Sequence, residues 1–534
     1  MLTRSRLQPW HVAAALLAAW AVMYVQYPLG GDQGILLWVG DVIRGGGVPY
    51  RDSFEIRGPA FDYIHALILA VFGRNAWGIR VFDLLILALG GWLVWRIGFH
   101  AAGRTAATAG AVLFLLWYAA VDYWSTAQSD GWSAVILAGV VALLLPTDRR
   151  LSWLRAGFAG ALVALCTLNK PTFAIFGLLP AIRALIEPDR RMPRVSALWL
   201  TAAVGFAVPI LICVAWFAAH AALDDLIEVH ILWTLSQYSG LDQPWLTRVQ
   251  TAIAWFLTSK FAVALGVAVG GLAFLSRTRR ADAILIGTWL ALAIFNVIAQ
   301  GRYWEYQWLV IYPVLGVLGG IGVYALLQMR AGLVAGAAST PPTTIPATRA
   351  IPSAILAVLF IAALFTPSRD VYRWVKVQLR LTNAQEYDRM MYGPYGPRSP
   401  QSFVGIADYI KTRTSDRDEV LVWGTVQGIN FLSGRRSPTR FAYLKAFKTE
   451  GDERFRPKYL REFLGVMQKK PPTYIVALDE RFCDVVVQSG LMSHDHIAYP
   501  MSCLSDLPEL QQIVGQRYSL ERNFGGYLVF RLRA

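Results

Sequence analysis

The chain has 534 residues, 55% of them hydrophobic and only 16% charged, whereas soluble domains average about 45–50% apolar and about 25% charged. With a mean hydropathy of +0.42 and 20 Trp, this composition excludes a soluble globular enzyme and fits repeated membrane spans with aromatic belts. The formal charge of +15 would suit an anionic polymer, but arginines between apolar runs mark cytoplasmic loops, so a simple nucleic-acid binder is excluded too.

In chain order, the first apolar run, Pro9 to Tyr27 after Arg4 and Arg6, is too long for a signal-peptide core and lacks a convincing cleavage site. It reads as an uncleaved first span. About 20 helical residues cross the roughly 30 Å hydrocarbon layer, and further runs stand near 80–98, 107–122, 131–146, 155–168, 172–186, 195–217, 259–276, 282–300, 306–327 and 353–367. Eleven spans place the termini on opposite sides. Arg104, Arg149, Arg150, Arg155, Arg183, Arg190, Arg191, Arg194, Arg277, Arg279, Arg280, Arg330 and Arg349 then share the face of Arg4 and Arg6, which is the cytoplasm. The opposite face receives the first loop, 28–79, then 123–130, the turn 169–171, 218–258, 301–305 and everything after 368, with most of the acids.

Counting Ala60 to Phe72 as a span would invert the arginine pattern downstream, so it reads as a helix lying at the interface. Residues 328–352, with Pro341, Pro342, Pro346 and Pro352 among Gly, Ala, Ser and Thr, read as a flexible cytoplasmic linker. The chain thus divides into a transmembrane part, 1–367, and an extracytoplasmic mixed α/β domain, 368–534. In the latter we expect helices near 401–414 and 456–469, strands near 419–424 and 474–478, and a closing hairpin of 516–522 with 527–532 through Gly525-Gly526. No phosphate-binding glycine loop or nucleophile elbow is present there. Of the four Cys, Cys166 and Cys213 lie in apolar runs, where a thiol is a small hydrophobe. Cys483 and Cys503 lie where an oxidising compartment permits a disulfide. No Cys or His cluster, His494 and His496 included, has zinc spacing.

Chemistry concentrates in the exterior loops. Gly30-Gly31-Asp32-Gln33-Gly34 follows the first span, and Tyr50-Arg51-Asp52-Ser53-Phe54-Glu55-Ile56-Arg57-Gly58-Pro59 crowds acids and arginines together. A carboxylate at the membrane rim, backed by low-dielectric protein, can keep enough basicity to take a proton from an attacking hydroxyl. Asp32 is the candidate, and its alternative is a Gly-Gly-Asp turn capping a helix that starts near Gln33. Asp130, in Ala127-Gln128-Ser129-Asp130-Gly131, is a second exterior acid whose alternative is an N-cap. Asp122 shares its exposure. Lys170 in Leu168-Asn169-Lys170-Pro171 and Arg302 in Gln300-Gly301-Arg302-Tyr303-Trp304 stand on the face that otherwise avoids cations. Phosphate binding and snorkelling to the interface both explain them.

The order span, Gly-Asp-x-Gly, Pro-Tyr-Arg-Asp…Gly-Pro, Ala-Gln-Ser-Asp, Leu-Asn-Lys-Pro and Gly-Arg-Tyr…Tyr-Pro resembles the GT-C-type glycosyltransferases that use polyprenyl-phosphate sugars. The nearest group is the protein O-mannosyltransferase and lipid A aminoarabinose transferase superfamily, glycosyltransferase family 39-like. The resemblance covers nearly all of the chain, including Val422-Trp423-Gly424 and Lys470-Pro471-Pro472-Thr473-Tyr474. It implies a polytopic GT-C-like membrane fold and sugar transfer to a glycan, lipid or protein acceptor on the extracytoplasmic face of the inner membrane. Asp32 would be the first-loop base, Asp130 the second-loop acid, and Lys170 and Arg302, with Tyr303, would hold the lipid phosphate. Where the family often has Asp-Glu, this chain has Asp32-Gln33, so either no neighbouring acid assists or Asp52 or Glu55, near the substrate-binding Arg57, replaces it. The Asp-x-Asp of the metal-dependent relatives is absent from the first loop, and hard cations want several carboxylate oxygens, so no metal or other cofactor is expected. The rival class is a transporter or flippase of lipid-linked sugars, which would place its ionisable groups near the midplane. The candidate spans hold few such groups: Lys260, Asp83 and Asp282 sit near their ends.

Overall fold

The structure is a computed structural model, and it describes residues 9–238, 243–259, 261–337, 347–392, 400–424, 426–442, 444–447, 454–482 and 503–534. Helices stand at the apolar runs read from the sequence. Among the described residues, five helices are long and apolar enough to cross a membrane: Trp77–Ala119, Met192–Ala219, Arg280–Gln300, Glu305–Ala331 and Ala350–Gln378. The first of these leaves helical geometry at Ala102 and Gly103, between the two runs expected at 80–98 and 107–122. The pair Trp245–Thr258 and Ala262–Thr278 passes the same test together but bends by 99°. Trp10–Val25, Ser129–Leu144, Trp153–Thr167 and Pro171–Leu185 are apolar and shorter, and the expected eleven crossings include these. Of the region read as a linker, 328–337 and 347–352 are helical, as continuations of Tyr312–Ala337 and Ala347–Gln378. Residues 338–346 and Lys260 lie outside the described residues.

The chain packs as two compact units. The first comprises Met1–Val25, Val81–Ile212 and Gly240–Gln378, and the second comprises Gln26–Arg80, Cys213–Ser239 and Leu379–Ala534. In the first unit the small residues of the apolar helices sit where backbones meet, as at Gly271 against Leu318 and Gly320 against Ala106. The arginines read as topological markers also bind the structure together. Arg183 is fully buried, pairs with Glu187, and donates to the carbonyls of Leu144 and Arg149, while Arg194 joins Glu187 to the Leu151 carbonyl. Asp83 and Asp282 are satisfied in place. Asp83 accepts from Tyr24 at 2.5 Å, Tyr118 at 2.7 Å and Trp132 at 2.6 Å. Asp282 accepts from Thr147 Oγ1 at 2.6 Å and bonds His100 at 3.0 Å.

In the second unit a four-stranded sheet forms from β1 (Val420–Trp423), β2 (Tyr474–Leu478), β3 (Tyr518–Asn523) and β4 (Tyr527–Leu532), in the order β1-β2-β4-β3. The first two pair in parallel and the other pairings are antiparallel. β1 and β2 are continuous apolar runs buried along their whole length, whereas β4 buries Tyr527 and Val529 on alternate positions and β3 buries only Tyr518. Helix Pro400–Lys411 supplies Phe403, Ile406 and Ile410 to the core under the sheet. Cys503 is disulfide-bonded, and its expected partner Cys483 lies outside the described residues. Cys166 and Cys213 are free thiols, as their apolar surroundings imply.

The first loop folds together with this C-terminal region. Phe54 is fully buried, its ring against Trp233, Phe441 and Tyr459, and its amide donates to the Arg440 carbonyl at 2.6 Å. Helix Gly31–Arg44, the loop helix, crosses helix Gly428–Ser433 so closely that a Cβ at Gly34 would lie 2.8 Å from the Gly428 Cα. The last glycine of the Gly-Asp-x-Gly run is therefore a contact point between helices. The segment 60–72 is helix Pro59–Phe72, 14 residues long and apolar like the other short helices.

Candidate functional site

Each unit carries one cluster of the residues singled out in the sequence. In the second unit, Gly30 is the N-cap of the loop helix and makes no side-chain cap, so Asp32 falls in the first helical turn, where its charge suits the helix dipole. Its Oδ2 lies 2.9 Å from Arg57 Nη2. Arg57 also donates to Glu55 Oε1 through Nη1 at 2.9 Å and through its own amide at 3.1 Å. The Glu55 side chain is fully buried and that of Arg57 is 8% exposed, yet 32% of the Asp32 side chain remains exposed. Asp32 and Glu55 are thus joined through the Arg57 guanidinium. Asp52 serves its own turn, accepting from the Val48 amide at 2.7 Å and from Arg51 Nη2 at 2.8 Å. Burial alone would raise its carboxyl, but these donors hold it below the usual carboxylate range.

The loop that presents Arg57 is clamped from outside the sequence motif. Tyr50, at a positive φ of 69°, donates its hydroxyl to the Arg57 carbonyl at 2.7 Å and stacks on His230. His230 Nδ1 lies 3.1 Å from the Ile56 carbonyl oxygen. Burial pushes the His230 imidazole down to about 4, only partly offset by the Ile56 bond, and burial does the same to His65. Both therefore charge more readily in the unfolded chain. Their contribution is complete above about pH 6.5 and is lost as pH falls towards 4, up to about 3 kcal/mol for each. We expect unfolding followed against pH to show this loss, and His230→Phe to remove about half of its slope.

In the first unit, Asp130 lies in the first turn of Ser129–Leu144, whose N-cap is Gln128; capping of the preceding turn falls to Asp122, which accepts from the Ser125 amide at 2.9 Å. Both Asp130 oxygens lie 2.8 Å from Lys170 Nζ. Lys170 also donates to Gln300 Oε1 at 3.3 Å and lies 5.2 Å from the centroid of the Tyr306 ring. Gln300 is held in turn by Asn296 and Gln307, at 2.8 and 2.9 Å. Gly301 ends its helix at a φ of 64°, a left-handed conformation that glycine adopts without penalty, and the turn carries the half-buried Arg302 and Tyr303. Tyr303 donates to the Arg248 carbonyl. Sequence reasoning missed Asn296, Gln300 and Gln307. The signal was legible, since Asn296 and Gln300 stand four residues apart on one face of an otherwise apolar helix. Among the described residues no three His, Cys, Asp or Glu side chains gather as metal ligands.

Residues 56–216 match the family model of dolichyl-phosphate-mannose-protein mannosyltransferases. By fold, the chain is similar to ArnT from Cupriavidus metallidurans in its apo state, with a TM-score of 0.60 at 16% identity, covering 98% of this chain and 97% of that one. The same protein bound to undecaprenyl phosphate gives a TM-score of 0.58 at 16% identity and the same coverage. The oligosaccharyltransferase of Archaeoglobus fulgidus, tethered with an acceptor peptide, gives 0.51 at 11% identity over 98% of this chain and 74% of that one. A search of curated proteins by sequence finds no match. The resemblance read from the ordered motifs is thus met independently by a family model over the early helices and by structural likeness along nearly the whole chain: the fold is that of the GT-C-type glycosyltransferases.

Proposed function

We propose that the protein transfers a sugar from a polyprenyl-phosphate donor to a cell-envelope acceptor, on the extracytoplasmic face of the inner membrane and with inversion at the anomeric carbon. The acceptor hydroxyl oxygen bonds to the anomeric carbon as the bond from that carbon to the phosphate oxygen breaks. The electron pair leaves with polyprenyl phosphate, and the hydroxyl proton passes to Asp32. Attack opposite the leaving group accounts for inversion, by the same geometry as in inverting glycosidases. Lys170 and Arg302 stabilise the charge that grows on the phosphate. We expect no metal requirement, because Glu55, joined to Asp32 through Arg57, is engaged by that arginine and no Asp-x-Asp stands in the first loop.

The observation that carries this reading is the Asp32 carboxylate, anchored on a buried Arg57–Glu55 pair while a third of its side chain stays open. Such an arrangement fixes a base in position without enclosing it. The transporter reading loses support because Asp83 and Asp282 are engaged in local hydrogen bonds. The test is to supply membranes containing the protein with a panel of polyprenyl-phosphate sugars. We expect one donor to be consumed with release of polyprenyl phosphate. No consumption, with labelled lipid crossing the bilayer, would overturn the transferase reading in favour of a flippase.

A further inference from the structure

Two stretches of the first unit carry seven arginines against three acids: residues 148–155, which lead into helix Trp153–Thr167, and residues 183–194, which lead into helix Met192–Ala219. Three of the seven hold the stretches together. Arg183 and Arg194 share the fully buried Glu187, whose Oε1 also accepts from the Leu151 amide at 3.0 Å, and Arg155 donates to the Ala142 carbonyl at 3.3 Å. The other four, Arg149, Arg150, Arg190 and Arg191, are exposed. Asp189 joins the two stretches, 3.1 Å from Arg150 and 3.4 Å from Arg191, yet those arginine side chains remain 67% and 83% exposed. Arg149 and Arg190 form no ion pair with a described residue. With Asp148 exposed beside Arg149, the outer surface presents four positive charges against two negative ones.

Arginines that only set topology need charge and no fixed geometry. Here the buried Arg183–Glu187–Arg194 staple fixes both stretches, so the four outer guanidinium groups belong to one rigid patch. The helices that leave the patch are bare on one side. Only 11% of the most apolar stretch of helix Met192–Ala219 is buried, and Leu200, Val204, Val208 and Leu211 form an exposed stripe along it. Leu154 and Phe158 are exposed at the start of helix Trp153–Thr167, which meets its neighbour backbone to backbone at Gly157 and Gly205. Fixed forked donors beside exposed apolar stripes match a molecule with an anionic phosphate head and acyl tails. A soluble anion would use the arginines alone. We propose that this patch binds an anionic phospholipid, with its headgroup phosphate on Arg149, Arg150, Arg190 and Arg191 and its acyl chains along the Leu154–Phe158 and Leu200–Leu211 stripes. The lipid is not the sugar donor, because Lys170 follows the other end of the 15-residue helix Trp153–Thr167, about 22 Å away at about 1.5 Å per residue. The inference therefore stands apart from the transferase reading.

The full-length protein in phosphatidylcholine nanodiscs is titrated with spin-labelled phosphatidylglycerol or spin-labelled phosphatidylcholine, and the motionally restricted fraction gives their relative affinity. Phosphatidylglycerol is expected to bind about tenfold tighter, with the preference reduced at high salt. Arg149→Gln/Arg190→Gln should lose most of that preference; neither side chain makes a hydrogen bond or ion pair with a described residue, so the staple beneath them is untouched. Arg277→Gln/Arg280→Gln removes the same charge from two exposed arginines read on the same face, and should change the preference by less than about twofold. Equal losses in the two double variants would make the preference a matter of net charge and overturn the site. Equal binding of the two lipids by the native protein would overturn it as well. Displacement of phosphatidylglycerol by millimolar inorganic phosphate would assign the arginines to a soluble anion and sink the lipid proposal.

Discussion

Asp32→Asn is expected to lower sugar transfer by about 10²–10⁴-fold, the usual contribution of a positioned general base, with donor affinity changed only a few-fold. The amide keeps the size of the carboxylate, so a fold defect does not account for a large loss. Arg57 and Glu55 give the control. Glu55→Gln weakens the charge-assisted bond that holds Arg57 but leaves the Asp32 carboxylate in place. It should therefore reduce the rate much less, with a shifted pH–rate profile as the sign that the base has been perturbed rather than removed. The measurement is single-turnover transfer from the donor identified in the membrane assay. Asp32→Asn at near wild-type rate would remove Asp32 from the chemistry and leave it a first-turn residue that complements the helix dipole.

Much of this fold is legible because the bilayer imposes simple rules. A backbone in lipid must satisfy its polar groups internally, so each long apolar run has to be helix. The strands near 419–424 and 474–478 were equally plain, as short β-rich runs between turn signals. What the linear pattern does not reveal is pairing across large sequence separations. Lys170 and Asp130 each stand out, one as a cation on the wrong face and the other as an exterior acid, but nothing in a sequence says that 40 residues of separation close to 2.8 Å. Likewise, the first loop reads as exterior and reactive, whereas its folding with residues 379–534 depends on Phe54 finding Trp233, Phe441 and Tyr459. Gly34 has no role legible in the linear pattern, and the reason for it lies nearly four hundred residues away at Gly428. Of the candidate site, the residues were legible and their division of labour was not: Glu55 and Arg57 sit behind Asp32, and Asp52 holds its own turn.

That Lys170–Asp130 pair allows a structural role to be separated from a chemical one. Asp130 is 2% exposed and Lys170 21%. Lys170→Met leaves a buried carboxylate without its ammonium, and breaking a buried pair from one side costs about 3–5 kcal/mol. Replacing both partners, in Lys170→Met/Asp130→Asn, removes the charge along with its counter-charge and should recover most of that stability, since buried pairs often exchange for neutral side chains at little net cost. Activity should not follow stability. If Lys170 stabilises the leaving phosphate, the double variant remains deficient in transfer and binds polyprenyl phosphate more weakly than the native protein. Thermal unfolding in nanodiscs reads the first quantity, and polyprenyl-phosphate affinity together with single-turnover rates reads the second. Recovery of both in the double variant would make the pair a structural staple like Asp83 with its tyrosines, and would leave Arg302 as the remaining cation for the lipid phosphate in the proposed mechanism.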